Sequence, residues 1–415
     1  MDNDKTAVLL MRENPANPID PYRMIELRGL ANAVGYRVLQ EIKQRRERDH
    51  RFQIGRGKIE EALSCHPKKL IFYNPLSPTQ VFNIRSEFPA QVLDRFNLIL
   101  EIFASRASTR EAKLQVELAR LSYDAPQVRS ELALKKRGEQ PGFRGAGAYE
   151  QSMYHDIRGR MAKIRGELKE VEAMGEGRRK RRRELGFDLI ALAGYTNAGK
   201  STLLNTLTGS VVNAQDQPFT TLSPTTRALE INGRRTMLTD TVGFIDDLPH
   251  FLIKAFQSTL SEIAQADLVL LVADLSDPLE LLRRKLVASH KALWDCQVTA
   301  PMITVLNKMD RLDEFDARMR FDQIKDLAPN PVMVSAHSSQ GQESLKECIY
   351  QHLPPLKEYQ IRLPYTSRSF GVLSRLYGAA ELLDVSYEDE LVLSLQGRAE
   401  DVARLSKAAE DERAK

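Results

Sequence analysis

The segment Gly194-Tyr195-Thr196-Asn197-Ala198-Gly199-Lys200-Ser201 fits the spacing G-x-x-x-x-G-K-[ST] and follows an apolar run, Asp188-Leu-Ile-Ala-Leu-Ala193. Its chemistry is that of a phosphate cradle. Glycines at both ends let backbone N–H groups turn inward toward phosphate oxygens. Lys200 supplies a point charge for β- and γ-phosphates, and Ser201 a hydroxyl ligand for Mg²⁺. The following Leu203-Leu204-Asn205-Thr206-Leu207 reads as a helix, whose N-terminal partial positive charge adds to the anion site. Gly194 through Thr202 are therefore the candidate phosphate-binding residues. A glycine turn with a chance lysine is the alternative, and the join of strand, spacing and helix argues against it.

Three further segments indicate which nucleotide would sit there. Asp240-Thr-Val-Gly243 ends a strand-like run, Thr236-Met-Leu-Thr239. Its carboxylate can hold the Mg²⁺ shell through water, and the Gly243 N–H can meet a γ-phosphate. The apolar run Met302–Leu306 ends in Asn307-Lys308-Met309-Asp310. Guanine offers N1–H and N2–H₂ on one edge, which Asp310 can accept together, whereas adenine lacks that pair and would leave the carboxylate unpaired. Asn307 would position the loop and the base, the Lys308 stem would cover the base face, and a backbone N–H at Ser335-Ala336 could serve guanine O6. Each segment lies where a strand ends, which fits the crevice at the carboxyl edge of an open parallel sheet.

Between these elements runs Gln217-Pro-Phe-Thr-Thr-Leu-Ser-Pro-Thr-Thr226. A threonine there can ligate Mg²⁺ only while the γ-phosphate is present, which makes an order–disorder switch. Thr221 is the candidate ligand, with Thr220 next. Where Ras-like enzymes carry a glutamine that orients water, this chain has Phe244 followed by Ile245. Slow intrinsic hydrolysis is expected, with the missing polarisation supplied by a partner, by a monovalent cation or from elsewhere on the chain. Asn197 is a candidate K⁺ ligand, since its loop resembles that of cation-activated GTPases. The alternative is an asparagine that shapes the loop by tolerating unusual dihedrals.

The 415 residues allow two to four domains, and the charge is unevenly spread. Three widely spaced cysteines, Cys65, Cys296 and Cys348, read as a reduced intracellular chain, and no apolar run is long enough to span a bilayer. The reading is a cytoplasmic, monomeric α/β protein in four parts. A small α/β domain with a parallel sheet occupies 1–105. A basic helical-hairpin arm occupies 106–185, with stripes at Leu114, Leu118 and Leu121 and at Met161, Ile164, Leu168 and Val171. A P-loop GTPase domain, a mostly parallel sheet with helices on both faces, occupies 186–354, and a short αβ domain 355–415. The arm holds 20 Lys and Arg against 12 Asp and Glu, a net of +8, while the whole chain carries only +4. It ends in Arg178-Arg179-Lys180-Arg181-Arg182-Arg183, and Arg144 lies in a Gly-rich tip, Gln140–Tyr149. Such clusters neutralise phosphates with little sequence reading, which suits RNA; a solvated charged face is the alternative.

Ile54-Gly-Arg-Gly-Lys-Ile-Glu-Glu61, Leu76-Ser-Pro-Thr-Gln80, Val92-Leu-Asp-Arg95 and Lys113-Leu-Gln-Val-Glu-Leu-Ala119 join the phosphate loop and the Asp240–Ile245 segment in one pattern. Over nearly the whole chain it resembles HflX-type GTPases. The resemblance implies a Mg²⁺-dependent GTPase that takes GTP and GDP, binds the large ribosomal subunit through its rRNA and, in members studied, can split ribosomes. ATP binding is sometimes attributed to the N-terminal domain of such proteins, which the residues here do not support by themselves. One departure is the tip, which lacks the Glu-Thr pair that many members carry. A competing reading is a GTP-dependent switch that binds a protein effector. If Asn197 ligates K⁺, turnover in KCl exceeds that in NaCl at matched ionic strength; equal rates would remove that role.

Overall fold

The computed structural model of the chain describes residues 5–17, 20–138, 146–209, 218–222, 224–246, 252, 255–364, 381–387, 390–398 and 403. The chain forms two compact units. One comprises Met1–Glu170 together with Gln215–Ser223 and Asp247–Ser258; the other comprises Val171–Ala214, Pro224–Asp246 and Thr259–Lys415.

In the first unit, strands β1 (Thr6–Glu13), β2 (Arg37–Arg45), β3 (Lys69–Phe72) and β4 (Gln91–Asp94) form a parallel sheet in the order β2-β1-β3-β4. Parallel pairing requires crossovers, here made by helices α1 (Tyr22–Ala33), α2 (Arg56–Leu63) and α3 (Pro78–Glu87). Interior β1 buries Ala7–Leu10 completely, as a strand covered on both faces must. Helix α3 starts with a full capping box, Ser77 and Gln80, with Pro78 inside its first turn. The buried Gln80 amide also donates to Asp49 O and Gln53 Oε1, so the Leu76–Gln80 segment fastens a loop to a helix. Asp94 caps α4 (Arg95–Arg106) through Asn97 N–H and accepts from Tyr123 of α5 (Arg110–Gly138). Burial raises the Asp94 carboxyl, against the hydrogen bonds from Tyr123, Asn97 and Leu76 that lower it.

Helix α5 packs on α6 (Ala146–Glu184), with Leu114, Leu118 and Ile164 buried together and Leu121, Met161 and Leu168 at their margin. Arg160 grips Glu117 across the pair at 2.7 Å. These are the stripes expected from the helical spacing, apart from Val171, which is not in this cluster. The helix already includes Ala146–Tyr149, which composition placed in the turn. Alanine favours the helix enough to carry Gly147, whose cost is about 1 kcal/mol. Arg144 and the rest of the tip lie outside the described residues, and of the basic run, Lys180, Arg181 and Arg182 sit on the last turns of α6. Phe103 of α4 meets Phe219 and Phe256 edge-on, with ring centres 4.7 and 4.8 Å away, so both inserted segments pack into the core of this unit.

The second unit is built on β5 (Asp188–Gly194), β6 (Thr225–Ile231), β7 (Arg234–Asp240), β8 (Leu268–Asp274), β9 (Met302–Asn307) and β10 (Val332–Met333), in the order β10-β9-β8-β5-β7-β6. All pairs are parallel except β6 with β7. Helices α7 (Lys200–Thr208), α8 (Gln257–Ala264), α9 (Leu279–Asp295), α10 (Glu314–Gln323) and α11 (Gln342–His352) alternate with the strands, although α8 begins in the segment that groups with the first unit. Beyond them, β11 (Leu356–Leu363), β12 (Glu381–Tyr387) and β13 (Leu391–Arg398) form an antiparallel sheet in the order β11-β13-β12. Strand β13 alternates buried and partly buried residues, the mark of a sheet with one covered face. Of the helical part expected for this region, only Ala403 is among the described residues, and it is helical.

At the amino ends of the central strands, Arg398 donates to Asp188 at 2.8 Å and to Asp267 at 2.8 Å, while Arg234 donates to Asp188 at 2.8 Å. Asp188 and Arg234 are buried. Removing Arg398 takes a cation from Asp267 and leaves Asp188 with Arg234, so Arg398→Met should cost about 3–5 kcal/mol in chemical denaturation, whereas Lys346→Met, breaking a pair with an exposed Glu343, should cost under about 1 kcal/mol.

Candidate nucleotide site

The site grows from the carboxyl ends of β5, β7 and β9. Strand β5 is buried along its whole length and delivers the chain into the glycine-bounded loop. Gly199 caps α7 at φ +96°, and a Cβ there would lie 2.2 Å from Asn307 Nδ2, so only glycine fits. No side chain caps the helix, which leaves its first N–H groups facing the loop. Asn197 also has positive φ, +63°, the conformation the loop-shaping reading requires of it.

Lys200 is buried and donates to the carbonyls of Gly194 and Tyr195 at 3.1 and 3.0 Å, which stretches its stem across the loop. Burial lowers its pKa to about 8, against the opposing charge of Asp240. Ser201 Oγ donates to Asp240 Oδ2 at 2.6 Å, so two of the three expected metal-binding side chains meet. A hydroxyl beside a carboxylate is the hard oxygen pair that suits Mg²⁺, which keeps waters and phosphate oxygens for its other positions. Among the described residues no cluster of three or more His, Cys, Asp or Glu forms an all-protein metal cage.

Asn307 is buried at 2 % exposure and joins three loops. Its Nδ2 donates to Ala198 O and its Oδ1 accepts from Ala336 N–H, both at 2.9 Å. Ser335 Oγ donates to Asp310 Oδ1 at 2.6 Å, which orients an exposed carboxylate. Lys308 spans from Asn197 O at 2.8 Å to Asp274 at 2.7 Å. Thr206 Oγ1 donates to Ala336 O, tying the helix after the phosphate loop to the base loop.

The Ala336 and Ser335 N–H groups donate to Asn307 Oδ1 and Gln340 O. A guanine O6 would share the first of these rather than find an open donor. Thr202 lies within α7, and its carbonyl accepts from Thr206. Gly243 stands beside Lys200 in the second unit. Thr221 belongs to the segment that groups with the first unit, next to the buried Leu222.

Asp274 escaped the sequence reading, although a carboxylate closing an apolar strand was the available signal. Also missed was Thr241, whose hydroxyl donates to Leu192 O at 2.7 Å.

Three family models match the chain: "GTP-binding GTPase N-terminal" over residues 22–104, "GTP-binding GTPase Middle Region" over 106–182, and "50S ribosome-binding GTPase" over 189–308. The GTPase HflX of Thermococcus kodakarensis is 41% identical over 380 residues, covering 88% of this chain and 86% of that protein. The GTPase HflX of Methanocaldococcus jannaschii is 37% identical over 406 residues, 96% of this chain and 98% of that one. The Escherichia coli GTPase HflX is 35% identical over 385 residues, 90% and 88% of the two chains. A solved structure of SsGBP with GDP superposes with a TM-score of 0.50 at 29% identity, covering 84% of this chain and 98% of that one.

Because the folded value of Lys200 lies below that of the unfolded chain, nucleotide-free protein gains stability as pH rises from about 8 toward 10.5. Phosphates held against Lys200 would restore the ammonium, so GDP affinity should fall above pH 8, approaching about tenfold per pH unit. Calorimetry in buffers of different ionisation enthalpy should show the matching proton uptake; a flat affinity from pH 7 to 9.5 would refute it.

Proposed function

The chain belongs to the HflX family of GTPases, and on that premise we propose that its GTP-bound state docks on the large ribosomal subunit through rRNA. The observation that carries the proposal is the basic arm. Helix α6 ends in a run of cations at Glu184, and β5, which leads into the phosphate loop, begins at Asp188. The name of the model matching 189–308, a 50S ribosome-binding GTPase, points to the same partner.

In this reading the backbone of Gly194–Thr202, the Lys200 side chain and the Gly243 N–H hold the phosphates, and Asn307, Lys308 and Asp310 select guanine, with Ser335 and Ala336 closing the base loop. Ser201, Thr221 and, through water, Asp240 would hold Mg²⁺, which when bound would neutralise charge on the β- and γ-phosphates. Phe244 is buried at 1 % exposure, so its side chain cannot orient water, and unassisted hydrolysis is slow. Docking would order the segments around 215–226 and 244–252 and raise the rate, because binding that favours the ordered state favours hydrolysis. The arm is proposed to span 106–185 between an N-terminal domain, 1–105, and a GTPase domain, 186–354, with 355–415 closing the chain.

Sedimentation with intact ribosomes tests this. Pelleting should occur with a non-hydrolysable GTP analogue and not with GDP, weaken steeply with salt, and accompany turnover raised at least tenfold. Equal pelleting in both nucleotides, or binding indifferent to salt, would favour a protein-effector switch instead. Free subunits accumulating in the analogue arm would extend the reading to subunit separation. Lys200→Ala should lose guanine-nucleotide affinity while keeping residual RNA binding.

A further inference from the structure

The segment that follows Asp240 is laced to the phosphate loop in a way the known motifs do not require. Thr241 Oγ1 donates to Leu192 O at 2.7 Å. Phe244 N–H donates to Gly194 O at 3.0 Å, and Phe244 O accepts from Thr196 N–H at 2.8 Å, so residues 194–196 and 244 pair as a short parallel bridge. Gly243 lies between these stitches. A Cβ on it would stand 2.9 Å from Thr196 Cγ2 and 3.0 Å from Lys200 Nζ. Its backbone is therefore held against the ammonium that meets the β- and γ-phosphates.

The last stitch is made by side chains. Asp246 N–H donates to the Tyr195 hydroxyl at 3.0 Å, and the Asp246 carboxylate pairs with Arg284 of α9. The Tyr195 ring is buried beneath the Lys285 ammonium, 5.3 Å from its centre, and Lys285 is itself held by Asp277 at 2.6 Å. Asp246 is also the last residue of its segment in the second unit before the chain passes to Asp247–Ser258 of the first. A backbone bridge alone can be made by any residues and frays easily. A buried tyrosine hydroxyl and an arginine on a neighbouring helix fix one place for residue 246, and with it the direction of the chain through 243–245.

We infer that Tyr195, Asp246 and Arg284 are positioning residues that hold the Gly243 N–H where a γ-phosphate will meet it, and so set the preference for GTP over GDP. This rests on the guanine-nucleotide reading of the site. GDP has no γ-phosphate, so loosening the clamp should leave its affinity nearly unchanged, whereas a residue needed only for folding would weaken both nucleotides together.

The test measures the affinities of the full-length protein for GTPγS and GDP side by side, with the melting temperature of each variant. Tyr195→Phe removes the hydroxyl that accepts from Asp246 N–H and keeps the ring, and Arg284→Met removes the cation. Each should lower the ratio of GTPγS to GDP affinity by about 3–10-fold, the worth of one hydrogen bond. Each should also lower kcat with GDP affinity kept. The charge exchange Asp246→Arg with Arg284→Asp should recover part of the ratio lost in either single change. A wild-type ratio in both Tyr195→Phe and Arg284→Met would overturn the clamp while leaving the nucleotide site standing. Failure of the unaltered protein to bind GDP would bring down the site reading and the clamp together.

Discussion

The carboxamide of Asn307 is the contact on which the nucleotide site depends. A single buried group donates to the phosphate loop and accepts from the base loop, so two segments more than a hundred residues apart in the chain share one amide. Both of its polar ends are satisfied inside the protein, which is why burying it is tolerable. The arrangement also explains Gly199, since any side chain there would displace the amide from its place. With Asn307 set, Lys308 can stretch across the loop to Asp274, and Asp310 can be turned outward by Ser335.

The central sheet separates two electrostatic tasks. At the carboxyl ends of its strands, Lys200, Ser201 and Asp240 lie together, and burying the Lys200 ammonium there is costly. Its lowered pKa records that cost. At the amino ends, Asp188 and Asp267 are matched by Arg234 and Arg398, and the charges are satisfied without any ligand. Arg398 closes strand β13, so the same pairs attach the terminal antiparallel sheet to the central one.

The first unit solves a different problem. Its four parallel strands bury a continuous apolar core, and its long helices pack through few apolar residues and some ion pairs. Phe103 draws in Phe219 and Phe256 from segments that flank the strands of the other unit in sequence. Thr221, the expected metal ligand, lies two residues beyond Phe219. The segment proposed to respond to the γ-phosphate is thus anchored by aromatic packing within the first unit.

Much of this was legible in the residues. The phosphate loop, Asp240, and the Asn307–Asp310 segment each bring their chemistry within a few consecutive positions, and the buried strands β5, β8 and β9 announce themselves as apolar runs. The arm's stripes at Leu114, Leu118 and Ile164 follow helical spacing. Edge strand β2 was not legible, because only Ile42 of its nine residues is buried and its pattern carries no apolar run. Nor was the Tyr195–Asp246–Arg284 clamp, the shared use of the Ala336 N–H, or the Arg398 network. Local pattern determines which segments become strands, helices and turns, since propensity and periodicity act over a few residues. Which distant polar groups share a hydrogen bond is decided only when the sheet order brings strand ends together, because a buried donor must find its partner wherever the packed chain has placed one.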